Sequence, residues 1–534
     1  MEEKKGRIPK KEKKIKEKKP KLQPERIKKD RPDRKQIIHS VIVAAILVVM
    51  AAVIFFAAFL RLSHAQDLFI AENGAGTGTV QPQSGTAPKE AAKPLKTSFL
   101  VLLCIAAALL ITGMFAIYIF NDNKKLVKNP KMLLITASLI ILSTALTAVT
   151  TLAAYTFTTA LVAVILIGIL VDKKTAFAST LVVSAITGLM AFNTVGPQQL
   201  NAMSVSIATL TGGLCSVFAL NLKHNRIVPI FSGLIGGGAS TLAYMCVQAF
   251  CRVSFSDMII DSLWLFGCSV LNGIIATGLM PVFEALFDIV TDARLNELMS
   301  NSTPLLKRLM TEAPGTYYHS LLVANLAESA AAKVGANPLL CKAAGYYHDV
   351  GKLRSPMHFK ENQRDYNIHD DLPPEESAAR IIAHQADGVT LLTKYKLPSD
   401  IIKIAAEHHG DSLVYFFYNK AVQQSGSAEA VDINKFRYHA PRPSSKESAI
   451  VMLADCCEAS VRSIPHPTPE LIADKIHEII GNIFYRPGSV LSEAPITAKD
   501  ISLIEKDFVK TLSAQYHERI EYPDLEKIEN GYKA

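Results

Sequence analysis

The stretch Gly-Tyr-Tyr-His-Asp-Val-Gly-Lys at residues 345–352 ends a predicted helix with a histidine and an aspartate side by side. Asn337-Pro338 predicts the start of that helix, since asparagine favours the capping position and proline the first turn. A His-Asp pair alone is weak evidence, because about one is expected by chance in a chain of 534 residues. His369-Asp370 is a second such pair, and it lies in a predicted polar loop.

The His348-Asp349 pair gains weight from similar residues on other predicted helices. The complete series is His319, His348, Asp349, His384, His408, His409 and Asp455. Such a set is large enough to hold two adjacent metal ions, a common device for cleaving phosphate esters. We expect Asp349 to bridge both ions. The expected first site is completed by His319, His348 and Asp455, and the second by His384, His408 and His409. This mixed nitrogen and oxygen ligation suits Fe or Mn, with Zn, Co and Ni as alternatives.

A long apolar region precedes this series and predicts a membrane protein. Hydrophobic residues make up 49% of the chain and the mean hydropathy is +0.22, with the excess between residues 37 and 290. We predict a first transmembrane helix at 37–60, a short extracytoplasmic linker at 61–96 and a seven-span membrane domain at 97–290. The seven spans are expected at 97–120, 132–153, 156–171, 175–192, 203–222, 227–250 and 259–288.

Charge predicts the orientation of these eight spans. Residues 1–35 carry 17 Lys or Arg against 7 Asp or Glu, within a net charge of +9 for the whole chain, so that 1–36 form a basic tail. The loops at 121–131, 172–174 and 223–226 are also basic, and basic loops favour the cytoplasmic side. We therefore predict a multi-pass protein of the cell membrane with a cytoplasmic N-terminus and a cytoplasmic last third. The tail is expected to contact anionic lipid rather than a nucleic-acid polymer.

Composition disfavours two other classes of protein. A transporter would be expected to carry ionisable residues within its spans, and these spans contain few. A disulfide framework or a zinc finger would need paired cysteines, and the eight cysteines include no Cys-x-x-Cys pair.

The last third is predicted to be helical, so the predicted fold class is all-α: a polytopic helical membrane domain followed by a cytoplasmic helical domain. A connecting helix is expected at 291–315 and a charged tail at 526–534. Ser444-x-x-Glu447 has the capping-box pattern that begins a helix, here the one that carries Asp455. The helix that carries His384 is expected to stop near Gly388.

The residues around the histidines carry a resemblance to a known family. They are Tyr-Tyr-His-Ser at 317–320, His-Asp-Val-Gly-Lys at 348–352, Phe-Lys-Glu-Asn-Gln at 359–363, His-His-Gly at 408–410, Phe-Arg-Tyr at 436–438 and Tyr-His-Glu-Arg-Ile at 516–520. Together they resemble the membrane-anchored, seven-transmembrane HD-domain phosphodiesterases of the HD phosphohydrolase superfamily, which cleave cyclic di-AMP to linear pApA. The resemblance implies an HD domain at 316–525, two divalent metal ions as cofactors and cyclic di-AMP as the substrate.

This chain departs from the family's pattern in two places. The family usually has a large extracytoplasmic domain after the first helix, whereas this chain has only the linker at 61–96, which removes the basis for sensing through such a domain. The family also tends to follow Arg-Tyr with Pro-Gly-Pro, and this chain has His439-Ala440-Pro441. That loop is expected to shape the substrate rim and to leave the metal ligands intact.

Asp349 and Lys352 are the catalytic candidates. Asp349 would orient the metal pair and accept a proton, and Lys352 would offset charge on the phosphoryl oxygens, although a lysine past a helix end also caps carbonyl groups. The candidate substrate contacts are Lys352, Tyr346, Asn362, Gln363, Arg437 and Arg462. The alternatives are core packing for the tyrosine, a solvated loop for the two amides and an ion pair with Glu458 for Arg462.

Three rival functions stay open. Hydrolysis of cyclic di-GMP on the same fold usually goes with a Gly-Tyr-Pro motif beyond the metal dyad, and this sequence has none. Phosphohydrolases acting on dNTPs or (p)ppGpp often manage with one metal and fewer histidines, which the His408-His409 pair argues against. A ligand-binding membrane receptor without catalysis would be expected to have lost metal ligands. A homo-oligomer is a further open prediction.

Overall fold

The computed structural model describes residues 34–74, 96–191, 199–221, 225–251, 253–486 and 488–516. Over these residues the chain is helical, with no β-strand and one isolated bridge between Leu413 and Arg437. The predicted all-α fold class is confirmed. The predictions for residues 1–33, 75–95 and 526–534 lie outside the described residues.

The membrane module consists of helices at the positions predicted for the eight spans, with one short extra helix. These are α1 (Arg34–Gly74), α2 (Thr97–Asn121), α3 (Lys124–Lys128), α4 (Pro130–Ala153), α5 (Ala160–Leu170), α6 (Lys173–Met190), α7 (Gln199–Ala219), α8 (Val228–Phe250) and α9 (Phe255–Phe287). Six of them, α1, α2, α4, α7, α8 and α9, are long and apolar enough to cross a membrane. Helix α1 continues through the first part of the predicted linker.

Helix α5 is the shortest of the helices at the predicted span positions, and it lies inside the module. Every one of its residues except Ile169 is buried, as expected for a helix that is apolar on all sides. Its 11 residues are fewer than the roughly 20 that a spanning helix needs. Close packing elsewhere relies on small residues: a Cβ atom on Gly233 of α8 would lie 2.7 Å from the carbonyl oxygen of Ser269 in α9.

The last third forms a second helical body. Its helices are α10 (Asp292–Leu298), α11 (Pro304–Glu312), α12 (Pro314–Val334), α13 (Pro338–Tyr347), α14 (Pro374–Lys394), α15 (Ser399–Glu407), α16 (Tyr415–Ser425), α17 (Lys446–Arg462), α18 (Pro469–Ile480) and α19 (Ala498–Gln515). Short 3₁₀ turns at Val350–Arg354, Pro356–His358, Lys360–Asn362 and Ile368–Asp370 join α13 to α14, and a π-helical turn at Gly481–Tyr485 follows α18.

The predicted connecting segment packs into the core of this second body. Leu295 of α10 and Leu306 of α11 are fully buried in one apolar cluster with Tyr347 and Val350. The Tyr347 hydroxyl also donates a hydrogen bond of 2.6 Å to the carbonyl oxygen of Leu298. The segment that leaves the membrane is therefore attached directly beside the His348-Asp349 pair.

An arginine in the turn before α8 links the membrane module to α10. Arg226, in the turn before α8, lies 2.9 Å from the Glu284 carboxylate in α9 and 2.6 Å from the Glu297 carboxylate in α10. The Arg226 side chain donates two hydrogen bonds to Glu297, through Nε and Nη2. Bidentate pairs of this kind fix geometry as well as charge, so α10 is held at the end of the membrane module.

Two predicted helix boundaries differ from the structure. The cap of α17 is Ser445 rather than Ser444, because the Ser445 side chain accepts from the amide of Ser448, and the Glu447 carboxylate instead accepts from the amide of Asn337. Helix α14 continues past Gly388 to Lys394, because the backbone of that glycine does not adopt the left-handed conformation that ends many helices. A Cβ atom on Gly351 would lie 2.5 Å from the Gly388 nitrogen.

Candidate metal centre

The structure brings all seven side chains of the predicted series together. The first group is His319, His348, Asp349 and Asp455, and the second group is Asp349, His384, His408 and His409. Within each group the potential ligand atoms lie within 4.8 Å of one another. Asp349 belongs to both groups, which is the arrangement expected from the sequence.

Three of the histidines are oriented by backbone carbonyls one turn earlier. The Nδ1 atom lies 2.8 Å from Gly345 O in His348, 2.6 Å from Ile381 O in His384 and 2.6 Å from Ala405 O in His408. A carbonyl can only accept, so Nδ1 carries the proton in each of these rings. The Nε2 atom of each ring can then bind a metal once it carries no proton, as in most histidine ligands.

His319 is oriented by a carboxylate instead. Its Nδ1 contacts Glu458, a residue with 0% exposed surface, and its Nε2 lies 3.0 Å from Asp455 Oδ1. A carboxylate behind a histidine raises the basicity of the ring and strengthens its bond to a metal. Glu458 thus serves the first group without being one of its members.

Asp349 lies between the two groups with one oxygen toward each. Its Oδ2 is 3.3 Å from His348 Nε2 and 3.5 Å from His319 Nε2. Its Oδ1 is 3.2 Å from His384 Nε2 and 3.8 Å from His408 Nε2. This is the placement that a carboxylate bridging two cations requires.

The cluster fits divalent metal ions on its own chemistry. His348 Nε2 is buried and has no hydrogen-bond partner among the described residues, although it points into the cluster. Buried polar atoms are rarely left without a partner, so this nitrogen has the position and the chemistry of a metal ligand. Imidazole nitrogens and carboxylate oxygens are also ligands that divalent transition metals accept. The His/Asp cluster is therefore a candidate divalent-metal site.

Lys352 forms an ion pair with Asp349, the carboxylate that the two groups share. Its Nζ lies 2.6 Å from Asp349 Oδ2 and 2.8 Å from Glu361 Oε1. Burial would raise the pKa of Asp349, but the Lys352 ammonium and His348 outweigh it and hold that pKa well below its usual range. Burial would lower the pKa of Lys352, but Asp349 and Glu361 raise it. Both groups are charged at neutral pH.

A cavity of about 830 Å³ opens over the cluster. Its lining includes His319, Lys352, His384, His409 and Asp455 at the cluster and Arg437, Tyr438, Arg462, Asn482 and Arg486 farther out. This volume is in the range of small-molecule sites. Three arginines around a metal cluster make the cavity suited to an anionic ligand.

Three of the predicted substrate contacts, Lys352, Arg437 and Arg462, line this cavity. Arg437 is held by a 2.8 Å hydrogen bond from its Nη1 to the carbonyl oxygen of Asp411. Arg462 Nη2 lies 3.8 Å from Glu458 Oε2, so the ion pair weighed from the sequence is present but long. Arg462 can therefore contact Glu458 and still face the cavity.

The other three predicted contacts have different surroundings. The Asn362 side chain accepts from the amide of Thr316 at 3.2 Å and donates to its hydroxyl at 2.9 Å, which serves the start of α12. Gln363 donates to Met357 O at 2.9 Å, and Tyr346 is buried in the apolar cluster around Tyr347. None of these three side chains is among the residues that line the described cavity.

Sequence reasoning missed several residues at this site. From the sequence, Glu458 is assigned only an ion pair with Arg462, although Glu458 follows Asp455 by three residues and thus shares its helix face. Tyr438, whose ring lies 4.3 Å from that of His409, stands in the quoted Phe-Arg-Tyr motif. Asn482 and Arg486 lie at the π-helical turn, which has no clear sequence signal.

Comparison with known proteins matches the two bodies in chain order. The model for "7TM receptor with intracellular HD hydrolase" matches residues 97–291, and the HD domain model matches 316–460. The cyclic-di-AMP phosphodiesterase PgpH of Bacillus subtilis is 37% identical over 366 residues, which are 68% of this chain and 50% of that protein. PgpH of Listeria monocytogenes is 37% identical over 67% of this chain and 48% of that protein.

Among solved structures, the HD domain of L. monocytogenes PgpH in complex with cyclic di-AMP is 42% identical, with a TM-score of 0.39, over 41% of this chain and 100% of that one. The chain spans about half the length of the curated relatives it matches. Both modules of one membrane-bound hydrolase family are present in the same order. The chain is therefore similar to 7TM receptors with an intracellular HD hydrolase over residues 97–291 and to HD domains over residues 316–460.

Proposed function

We propose that this protein is a metal-dependent phosphodiesterase that hydrolyses cyclic di-AMP to linear pApA. The observation that carries the proposal is the position of Asp349, with one oxygen toward each of two metal-ligand groups, beneath a cavity of about 830 Å³. The two PgpH relatives, both named cyclic-di-AMP phosphodiesterases, support the choice of substrate.

Bound in the two groups, a pair of divalent ions would supply an acidified water for attack on phosphorus and positive charge for the phosphoryl oxygens. The chain's own residues determine where this happens. The low pKa of Asp349 favours a permanently charged, orienting carboxylate over a proton acceptor. Lys352, 2.6 Å from that carboxylate, provides a fixed positive charge at the cavity floor.

The outer cavity would hold the rest of the dinucleotide. Arg462 and Arg486 line this part of the cavity and would bind the phosphate that is not being cleaved, since guanidinium groups match phosphate oxygens in pairs. Tyr438, already packed on His409, offers a ring face for a base or ribose. Metal ions bound in the two groups would contact only the phosphate, so discrimination between bases would come from this outer part.

The test is a comparison of two substrates on the full-length protein in detergent micelles, loaded with Mn or Fe. We expect cyclic di-AMP to be cleaved to pApA with kcat/KM about tenfold to a thousandfold above that for cyclic di-GMP, because one mismatched buried polar contact has that effect. Chromatography with mass detection identifies the products. Comparable kcat/KM values would contradict the substrate assignment and leave the metal assignment standing.

The metal itself is proposed to be Fe or Mn. Five imidazoles and two carboxylates without a thiolate are the ligand set on which this rests. Reconstitution of chelator-treated protein with Fe, Mn, Zn, Co or Ni, followed by measurement of kcat, ranks the candidates. Highest activity with Zn would contradict the choice.

We further propose that the N-terminus and the HD domain face the cytoplasm. The basic loops support this topology, as does the word "intracellular" in the description of the matching family. A reporter inserted within residues 75–95 should be active outside the cell, and one placed after Thr291 should be active inside. The reverse at either position would overturn the topology.

A further inference from the structure

A polar cluster with two buried and three half-buried members lies in the membrane module at the end far from the metal centre. It joins Tyr155, which follows α4, with Asn201 of α7, Tyr244 and Gln248 of α8 and Asp261 of α9. Helix α9 carries Asp261 near its start and ends at Phe287, next to the catalytic domain. At 1.5 Å per residue, about 40 Å of helix separates Asp261 from Phe287.

The hydrogen bonds around Asp261 have defined donors and acceptors. The hydroxyls of Tyr155 and Tyr244 both donate to Asp261 Oδ2, the latter at 3.0 Å. The Tyr244 oxygen can then accept from Gln248 Nε2, 2.7 Å away, and the same amide nitrogen donates to Asn201 Oδ1 at 2.8 Å. The carboxylate thus fixes the orientation of the Gln248 amide through one tyrosine.

This orientation leaves one acceptor without a partner. Gln248 is 1% exposed, and its Oε1 has no hydrogen-bond partner among the described residues. Likewise, no described residue donates to the second Asp261 oxygen, Oδ1, or forms an ion pair with that carboxylate. The buried Gln248 oxygen is costly without a donor, and the half-buried Asp261 carboxylate on a membrane helix is stabilised by a positive partner.

The unused groups define the chemistry of a ligand. They are one carboxylate oxygen and one amide oxygen, which accept and cannot donate, with a single negative charge between them. A positive ligand that accepts lone pairs or donates protons would satisfy both. One carboxylate is little for a divalent cation, which usually recruits several, and no imidazole or thiolate in the cluster would suit a transition metal.

We propose that the Asp261–Gln248 cluster is a binding site for a small monovalent cation, either an alkali-metal ion or an ammonium group. Asp261 provides the charge, Gln248 Oε1 a neutral oxygen ligand, and the two tyrosines hold the carboxylate in place. The site differs from the metal centre in position, ligand type and cation charge. It does not depend on the proposed phosphodiesterase activity.

The sequence provides a reporter for this site, because Trp264 is the one tryptophan of the chain. It lies less than one helical turn from Asp261, and its ring packs edge-on against Phe157 at 5.1 Å, two residues after Tyr155. Its fluorescence in full-length protein reconstituted into zwitterionic lipid nanodiscs should respond to occupancy. Na⁺, K⁺, NH₄⁺ and methylammonium are titrated separately, with N-methylglucamine chloride keeping ionic strength constant.

We expect a saturable change with at least one of these cations. Asp261→Asn should weaken the apparent affinity at least tenfold. Asp257→Asn, on the same helix four residues earlier, should leave it unchanged, because Asp257 is exposed and pairs with Ser254. Gln248→Leu should weaken binding at least threefold and provides a second test if Asp261→Asn does not fold. Saturation by alkali ions alone, or by the ammonium ions alone, decides between the two ligand types.

No saturable response in the wild type, or an equal response in wild type and both Asp261→Asn and Gln248→Leu, would overturn the proposal. Turnover of cyclic di-AMP is measured in the same samples. Because fluorescence and hydrolysis are separate readouts, loss of one does not imply failure of the other.

Discussion

The first and second groups of the metal centre share Asp349 yet differ in charge. The first adds Asp455 and is backed by Glu458 through His319, whereas the second adds three imidazoles and no further carboxylate. The first group therefore concentrates negative charge, and the second is nearly neutral apart from the shared Asp349. Two sites a few ångströms apart can thus differ in how they bind a metal.

This difference appears in the histidine pKa values of the metal-free protein. Burial would lower the pKa of His348, but the Asp349 carboxylate outweighs it and raises that pKa to about 10. In the second group, burial and the neighbouring His348 and His384 lower the pKa of His408 to about 3. A metal entering the first group must displace a proton at neutral pH, whereas His408 has none to lose.

The largest effect is expected where the two groups meet. Asp349→Ala removes the shared carboxylate, so metal content should fall in both groups and hydrolysis of cyclic di-AMP should drop about a thousandfold or more. Elemental analysis and product quantification measure both. Asp370→Ala is the control, since that aspartate belongs to the other His-Asp pair and bonds only with Asn367 nearby. Equal losses in two folded variants would show that the wrong pair was chosen.

Removing one ligand of a single group should empty that group of metal and leave the other group filled. Wild-type protein is expected to hold close to two ions per chain, and both Asp455→Ala and His408→Ala to hold close to one. Activity should fall by about a hundredfold in each, because both ions position the reacting oxygens. Competition with a chelator measures the affinity of the ion that stays. A wild-type value near zero after reconstitution with Fe or Mn would contradict the two-group description.

A change behind His319 should affect the first group alone. Glu458→Gln keeps the volume and removes the charge, and loss of such a supporting carboxylate typically weakens metal binding tenfold to a hundredfold. The chelator-resolved affinity that Asp455→Ala abolishes, which is that of the first group, should weaken, and the other affinity should not change. Arg462→Ala, which leaves Glu458 in place, is the matched control for metal affinity. Equal weakening at both sites would remove the distinction between the groups.

A lower pH should weaken metal binding at the first group more than at the second, and this is the smallest of the expected effects. His348 has a raised pKa of about 10, so its proton is bound throughout the range from pH 8 to 6, and each unit of acidification should weaken the first group by up to about tenfold. His408, with a pKa of about 3, is already neutral there, so it adds no such dependence to the second group. Equilibrium dialysis of His408→Ala and Asp455→Ala against buffered Mn measures the two slopes. Parallel slopes would contradict the prediction.

The metal ligands could be predicted because their positions follow from local signals. Asn337-Pro338 begins α13, and the helix then ends at Tyr347 with His348 as its cap. Proline at the start of α14 and the short α15 likewise place His384 and His408 from nearby residues. The residues that begin and end a helix act over a short range, so a single sequence is enough to locate these side chains.

The cavity rim could not be predicted because its residues are arranged by distant contacts. Asn362 turns toward Thr316 rather than the cavity, and nothing in the sequence around it specifies that partner. Arg486 reaches the cavity from just after the π-helical turn, whose Ile483 and Phe484 pack against the apolar cluster shared by α12, α17 and α19. The continuation of α14 through Gly388 could not be predicted either, because a glycine ends a helix only where its backbone turns left-handed, and this one does not.

The order in which the chain is made gives the packing of α19 a further meaning. Phe508 and Leu512 of α19 are fully buried in the same apolar cluster as Val323 of α12. The core therefore cannot close until almost the whole domain has left the ribosome. At about 5–20 residues per second, synthesis from the end of α9 to Leu512 takes roughly 10–45 s. By that time the membrane helices have already been made, so the polypeptide is anchored before its metal centre can form.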